Sequence, residues 1–500
     1  MDDQIKKLRS LIAQKAFSTV LALTEKNGTA EPSIMDIRAI ALASSGKVDE
    51  AYQLQKQALA LAKHRTPFFQ NLATYASYLN LHQEAYVAWL HLYENGFKTE
   101  NTLFNLSLSE FHLADYANCT AHLKEYLLEY PNTQKAVRLL ANTLTQTGAL
   151  DKAAELLNEF VQVHPSSIDE LFQLALIQRD LDQLSNSKAC LLKVLALDKF
   201  HVEAHFELAQ IYLREQTYSE GFQEFEWRLK RSNAADWRFF PELEKGEDLT
   251  DKKLLVYCEQ GAGDALHFIR YIPALTTLNI DYQIICQPSL VRLFSTMGLN
   301  VQDHSDPPPQ CDRQCPIMSL PYRLSLSPTM DIADNIKTLF PTPAKSDKLR
   351  VGICWSGSQE FANNHLRSCG ITVLTDLFQI PNIEWTLLMP DLEADDAEHL
   401  PHDIMLKLPL NYKSDYLETA CIISMLDLVI TVDTSVAHLA GLLGKKTKIL
   451  LHTPPDWRWF NDQKHSTLYP SLSIYRQPTP NDWHTPISRL VNDLKLLTAS

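Results

Sequence analysis

Several features that would assign this chain quickly are missing from it. No apolar run approaches the roughly 20 residues that a bilayer span needs. The opening MDDQIKKLRS is polar and mixed in charge, unlike a signal peptide. Net charge is −14 with no basic stripe, which argues against nucleic acid as a partner. The 9 cysteines are scattered, as suits a reduced, cytoplasmic setting. Cys311 and Cys315 lack a second ligand pair at zinc-finger spacing, so no metal is expected there. What is present is the composition of a globular chain, 45% hydrophobic and 21% charged over 500 residues. That length predicts about three domains.

Before residue 230 the dominant signal is a repeat. Ala51, Ala85, Cys119, Ala153, Ser187 and Gly221 are small residues spaced 34 apart. A second small series runs through Ala39, Ala73, Ser107, Ala141, Ala175 and Ala209, and large apolar residues hold a third register at Trp89, Leu123, Leu157, Leu191 and Phe225. Paired helices approach closely only where both present small residues, and the large ones fill the groove beside them. The period, the small positions, and Pro131 and Pro165 as terminators resemble the tetratricopeptide (TPR) repeat family. Six helix pairs are expected over 33–232, after opening helices in 1–32. Solenoids of this kind offer a concave face to peptides or protein segments, so a docked protein partner is expected; the alternative is a scaffold or a dimerisation array.

Pro241 and Gly246 break the period, and 233–250 reads as a linker. Two α/β units follow, expected at 251–346 and 347–500. In the first, the strand at 253–258 runs into Gln260-Gly261-Ala262-Gly263-Asp264 and a helix over 265–275 that carries Arg270. The dinucleotide fingerprint fails because Leu266 occupies the last glycine position. Asp264 at the helix start either faces a cleft ligand or caps the helix. A strand at 282–286 and a helix at 289–297 follow, and 303–319 reads as loop. In the second unit, the strand at 349–355 ends at Trp355-Ser356-Gly357, ahead of Arg367, which either pairs with a phosphate or sits in a solvated loop. A strand at 383–389 and a helix at 416–425 precede the stretch LDLVITVDTSVAHLAGLLGK. Its buried strand, 426–432, turns through Asp433, Thr434 and Ser435 into a helix over 436–443 bearing His438. Such a turn suits a phosphate, although the same three residues cap ordinary helices. A strand at 447–451 leads to Trp457 and its neighbours, placed to stack on a base or sugar or simply to pack. A helix at 483–497 closes the chain.

These motifs together, namely EGFQEFEWR, EQGAGDALHFIRYIPAL, VGICWSGS, Arg367-Ser368, LDLVITVDTSVAHLAGLLGK and PDWRW, resemble TPR proteins with a heptosyltransferase-like glycosyltransferase domain of the GT-B type. The fold class expected is therefore an α solenoid followed by a pair of Rossmann-like α/β domains, with the acceptor side at 251–346 and the nucleotide-sugar side at 347–500. The resemblance implies Asp264 as general base. It implies Asp433, Thr434, Ser435 and His438 around the donor phosphates, helped by Trp355, Ser356 and Arg367. Gln260, Gly261, Gly263, Arg270 and Trp457 would complete the cleft. The family often has an aspartate where this chain has Asn364, which leaves Asp264 as the best-placed base.

No Asp-x-Asp follows a strand, and Asp391-x-Glu393-x-Asp395-Asp396 reads as a solvated helix start, so metal independence and no cofactor beyond the nucleotide sugar are expected. Gly444-Lys445-Lys446-Thr447 mimics the end of a P-loop, but its lysines follow the helix instead of opening it. The reading is an inverting protein O-glycosyltransferase acting on Ser or Thr. Within the resemblance, the nearest model is a flagellin-modifying enzyme that uses CMP-linked pseudaminic or legionaminic acid, with flagellin or its chaperone complex on the repeats. Two alternatives stand beside it: a lipopolysaccharide or capsule sugar transferase, and a non-catalytic TPR adaptor with a relic transferase domain.

Overall fold

The computed structural model describes residues 2–25, 31–232, 239–326, 332, 336–342, 344–358, 364–389, 394–400, 415–460 and 464–499. It forms two compact units, Met1–Cys190 and Leu191–Ser500.

The first unit is helical. After the opening pair Asp2–Ala13 and Phe17–Glu25, helices begin at residues 32, 66, 100, 134 and 168, each followed by a partner beginning at 48, 82, 116, 150 and 184. A sixth pair, Val202–Arg214 with Tyr218–Phe225, keeps the register. The period expected from sequence is thus the period of the structure. Both small series are buried, with Ala39, Ala73, Ser107 and Ala141 of one and Ala51, Cys119 and Ala153 of the other at 0% exposure. Gly221 shows why size matters there: a Cβ on it would lie 2.8 Å from Leu213 Cγ. The turn inside each pair has its own periodic device. Gly46, Asn80, Ala114, Gly148, Asp182 and Gln216 all adopt positive φ, and glycine does so without steric cost.

The helix pairs run on to Phe225, within the span expected for the array, and the last of them belongs to the second compact unit. The division at Cys190 and Leu191 places the sixth pair with the sheets. One hydrophobic cluster runs from Ala209, Leu213, Phe222 and Phe225 through Leu254 and Phe268 to Val429, Leu439 and Trp459. The reason is size, because a four-stranded unit of this length has too little surface to bury a core alone. The linker also proves structured where it is described. Leu243 is fully buried, and Leu243 N donates to Gln314 O at 2.8 Å. The Gln314 side chain in turn accepts from Phe239 N and Phe240 N, both at 2.9 Å. Trp237 and the rest of 233–238 lie outside the described residues.

The first sheet contains β1 (Lys253–Tyr257), β2 (Asp281–Cys286), β3 (Val301–Asp303) and β4 (Arg313–Pro316), all parallel in the order β3-β2-β1-β4. The second contains β5 (Leu349–Cys354), β6 (Ile383–Leu387), β7 (Leu428–Val432), β8 (Thr447–Leu451) and β9 (Leu472–Arg476), parallel in the order β6-β5-β7-β8-β9. All five residues of β7 are buried, as a parallel strand covered on both faces requires. Strands β3, β4 and β9 escaped the sequence reading. β4 (RQCP) lies in the stretch read as loop, and its polar Gln314 is buried as a backbone partner. The helix expected over 265–275 is broken into Ala262–Phe268, a tight turn at Ile269–Tyr271, and Ile272–Thr277; Pro273 cannot continue the hydrogen-bond ladder.

Strand order reverses between β1 and β4 in one sheet and between β5 and β7 in the other. Ligands of open parallel sheets bind outside the carboxyl ends of the strands at such reversals. Among the described residues no helix is long and apolar enough to cross a membrane.

Candidate functional site

Both expected turns leave strands at these reversals. After β1 the chain passes through Gln260 and Gly261, both exposed, into the helix Ala262–Phe268. After β7 it passes through Asp433 and Thr434 into the helix Ser435–Leu442. The two helices meet. A Cβ on Gly263 would lie 3.5 Å from His438 Cδ2 and 3.6 Å from Ser435 Cα, ordinary contact distances that place the two helix starts side by side.

Capping does not account for Thr434, and accounts for Asp264 only in part, through the N–H of the N-cap Gly261. Thr434 holds the N-cap position but makes no side-chain cap bond; its Oγ1 lies 3.2 Å from Thr431 Oγ1. Ser435 Oγ accepts from Tyr416 OH at 2.9 Å. Asp264 is the third residue of its helix, beyond the N-cap Gly261. Its Oδ1 accepts from Arg458 Nη2 at 2.6 Å, and the side chain keeps 27% of its surface open. Arg458 Nη1 reaches Asp456 Oδ1 at 2.9 Å. Burial pushes the Asp264 carboxyl above its ordinary range, with Arg458 opposing the rise. Asp433 is pushed up to about 6, chiefly by burial and then by the charge of Asp456, against Arg367 and Arg458. Asp264 is therefore not a lone carboxylate. It belongs to a cluster with Asp433, Asp456, Arg367 and Arg458.

The turn after β5 supplies the remaining expected residues. Ser356 Oγ lies 3.0 Å from Ser368 Oγ. Arg367 is not a solvated loop residue. A Cβ on Gly357 would lie 2.3 Å from its Nη2, and its Nε donates to Asn364 Oδ1 at 3.1 Å. Burial lowers the Arg367 pKa, and the charge of Asp433 acts against that. Asn364, standing where a carboxylate was expected, also accepts from Gly357 N at 3.1 Å. It ties the turn together. Asn363 lies outside the described residues.

Four expected ligand contacts are used otherwise. His438 is 5% exposed; its Nδ1 lies 3.0 Å from Tyr469 OH and its ring stacks on Trp459. His267 Nδ1 meets the same hydroxyl at 3.0 Å. Burial drives both imidazoles well below their ordinary pKa, leaving them neutral. Arg270, at 1% exposure, donates to His267 O and Leu468 O, so it is a strut between the two sheet regions. Trp457 is enclosed by Phe222, His267 and Phe268, and no face of it is open for a base. Trp355 is buried and donates its indole N–H to Asp396 Oδ2 at 2.7 Å. Asp396 is therefore engaged with Trp355, unlike the solvated start expected for that run; Asp391 and Glu393 lie outside the described residues. Gln260, Gly261, Asp264, Ser356, Arg367, Asp433 and Ser435 keep some exposure.

Sequence reasoning quoted Asp456 and Arg458 only as parts of an aromatic motif. Their signal was available: opposite charges two residues apart inside the otherwise apolar PDWRWF. The loop is strained as well, since Phe460 adopts φ 53 and ψ −166, a region almost restricted to glycine. Nothing in the sequence marked Tyr469. Among the described residues no cluster of three or more His, Cys, Asp or Glu is arranged to hold a metal.

No family model matches the chain, and no curated protein matches it. Among solved structures it is similar to residues 41 to the end of MamA from Desulfovibrio magneticus RS-1, at 18% identity, covering 34% of this chain and 96% of that one with a TM-score of 0.31. It is similar to YrrB, described as a TPR protein with an unusual peptide-binding site, at 16% identity over 38% of this chain and 95% of that one, TM-score 0.33. A third is the C-terminal part of a TPR repeat-containing protein from Cytophaga hutchinsonii, at 11% identity over 46% and 96%, TM-score 0.40. At such scores none of them bears on the chemistry of this chain.

Proposed function

We propose that this chain is an inverting, metal-independent glycosyltransferase with paired Rossmann-like domains of the GT-B kind. It moves a sugar from a nucleotide donor to Ser or Thr of a protein docked on the repeats. One observation carries the reading: two turns from the reversal points of two parallel sheets meet, and beside them lie the partly exposed Asp264, Asp433, Arg367 and Ser435. The acceptor oxygen bonds to the anomeric carbon as the bond from that carbon to the nucleotide oxygen breaks. The hydroxyl proton passes to Asp264, a contribution typically worth about 10²–10⁴-fold. The leaving phosphate keeps its electron pair and is met by Arg367, Ser356 and the first N–H groups of the helix Ser435–Leu442. Fixed donors of that type are worth about 3 kcal/mol each in a transition state.

The finer version takes flagellin, or flagellin with its chaperone, as acceptor and a CMP-linked nonulosonic acid as donor. It rests on the sequence resemblance alone. Intact-mass analysis of proteins from cells with and without the chain tests both versions. The reading expects one acceptor to lose a sugar mass when the chain is deleted, and equally when Asp264→Asn replaces it. An unchanged mass profile in both strains leaves the non-catalytic adaptor.

A further inference from the structure

Arg458 is held in an unusual way. Its side chain is more than nine-tenths buried, with one nitrogen on Asp456 at 2.9 Å and another on Asp264 at 2.6 Å. Its Nε has no hydrogen-bond partner among the described residues; the guanidinium carbon lies 4.8 Å from the Trp457 ring and 5.9 Å from that of Phe268. Asp456 belongs to the same short turn and also takes Arg458 N at 3.0 Å, so that contact anchors the arginine. The contact to Asp264 comes from the other sheet region and is the one that can be exchanged. While it lasts, the cation on the carboxylate oxygen opposes protonation of the candidate base, against the burial that favours it.

We propose that Arg458 is a shared counter-ion that trades Asp264 for the phosphate of an incoming nucleotide. Donor binding then frees Asp264 Oδ1 to accept a proton, and an enzyme without donor keeps its base occupied. This inference rests on the donor-site reading above and adds the partner that couples donor binding to the base. The groups around the pair are Asp433, Asp456, Glu259, Arg228, Arg367 and the neutral His267 and His438. Three of these are carboxylates that also repel a phosphate, so a test must separate simple charge removal from exchange at Arg458.

A double-mutant cycle on the full chain makes that separation. CMP, UDP, GDP and ADP are titrated singly by calorimetry into the wild type, Asp264→Asn, Arg458→Gln and the double variant, with thermal unfolding confirming that each is folded. Asp264→Asn, although it removes the candidate base, is expected to tighten the best nucleotide by about threefold or more, because the anion no longer competes for the arginine. Arg458→Gln weakens it by about tenfold. In the Arg458→Gln background, Asp264→Asn then has no effect. Should Arg458→Gln fail to fold, Arg458→Lys replaces it; the charge stays but the two-pronged geometry is lost, and a weakening of about threefold is expected. Equal or weaker binding by Asp264→Asn overturns the exchange, and so does a gain that persists without Arg458. If acceptor glycosylation is seen together with either of those results, the transferase reading stands and only the exchange falls. If no nucleotide binds any of the four proteins, both fall.

Discussion

The repeat unit and the sheet unit bury charge in different ways. In the array, a buried carboxylate is answered by the neighbouring repeat: Glu170 takes Arg138 Nε at 2.8 Å across a separation of 32 residues. Near the candidate site one pair is remote, Arg458 and Asp264 being separated by 194 residues. Arg228 meets Glu259 at 2.7 Å, only 31 residues away, and also reaches Ser319 at 2.8 Å, 91 residues away. A pair that joins adjacent repeats serves stacking. Charges gathered from distant segments at the mouths of strands cost desolvation that packing alone does not require. Both units bury charge, as Glu170 and Glu110 of the array show; the sheet unit differs in that the Arg458–Asp264 pair joins distant segments at the mouths of its strands.

The largest break in that comparison is expected at Arg228. Arg228→Met leaves Glu259 buried and unpaired and should cost about 3–5 kcal/mol in denaturant unfolding. Adding Glu259→Gln should recover part of it. The same removal of charge in the array, Lys47→Met, loses an exposed pair with Glu50 and should change stability by less than about 1 kcal/mol. Equal losses at the two sites would erase the distinction drawn here.

Next in size is Gly441→Ala. A Cβ there would lie 2.3 Å from the Tyr469 ring, the ring whose hydroxyl joins His267 and His438. Displacing it should cost about 1–3 kcal/mol and shift the tyrosine's near-ultraviolet signal. An unperturbed signal would show that the hydroxyl does not depend on this packing.

The pH dependence sharpens the contrast further. His267 and His438 stay neutral in the fold, so below about pH 6.5 the unfolded chain binds more protons and stability falls as acid is added. His438→Gln should flatten that fall in urea midpoints measured from pH 7 to 5. Asp433 has the opposite sign. Its native pKa of about 6 exceeds the unfolded value, so its contribution is lost as pH rises through that window. Asp433→Asn should therefore stabilise by at most about 3 kcal/mol above pH 6, with the gain vanishing toward pH 4. A gain independent of pH would remove the buried carboxylate as its cause.

The array was legible because its determinants lie close together in sequence: small residues, a constant spacing and glycines at two of the turns. The parallel sheets were legible where strands are continuous apolar runs, as at β5 and β7. They were not where a strand is short and polar, as at β4, whose Gln314 is buried for its backbone bonds. At the site, Asp264, Asp433, Ser435 and Arg367 all keep some exposure, and the charges of Asp264 and Asp433 act on Arg367. The buried aromatic and basic residues beside them were not separated from the lining, because sequence shows side-chain type and not which side faces solvent. Trp457, Arg270 and His438 have ligand-like chemistry and structural positions. Tyr469, which receives both histidines, carried no mark at all.

The central claim is that the turn at 258–266 and the turn at 432–438 form one nucleotide-responsive site. Hydrogen–deuterium exchange of the full chain, with and without the nucleotide that binds best, tests it directly. The account predicts that amides in both turns slow together while the repeats before residue 190 are unaffected. Protection of only one turn, or of the repeats alone, would contradict it.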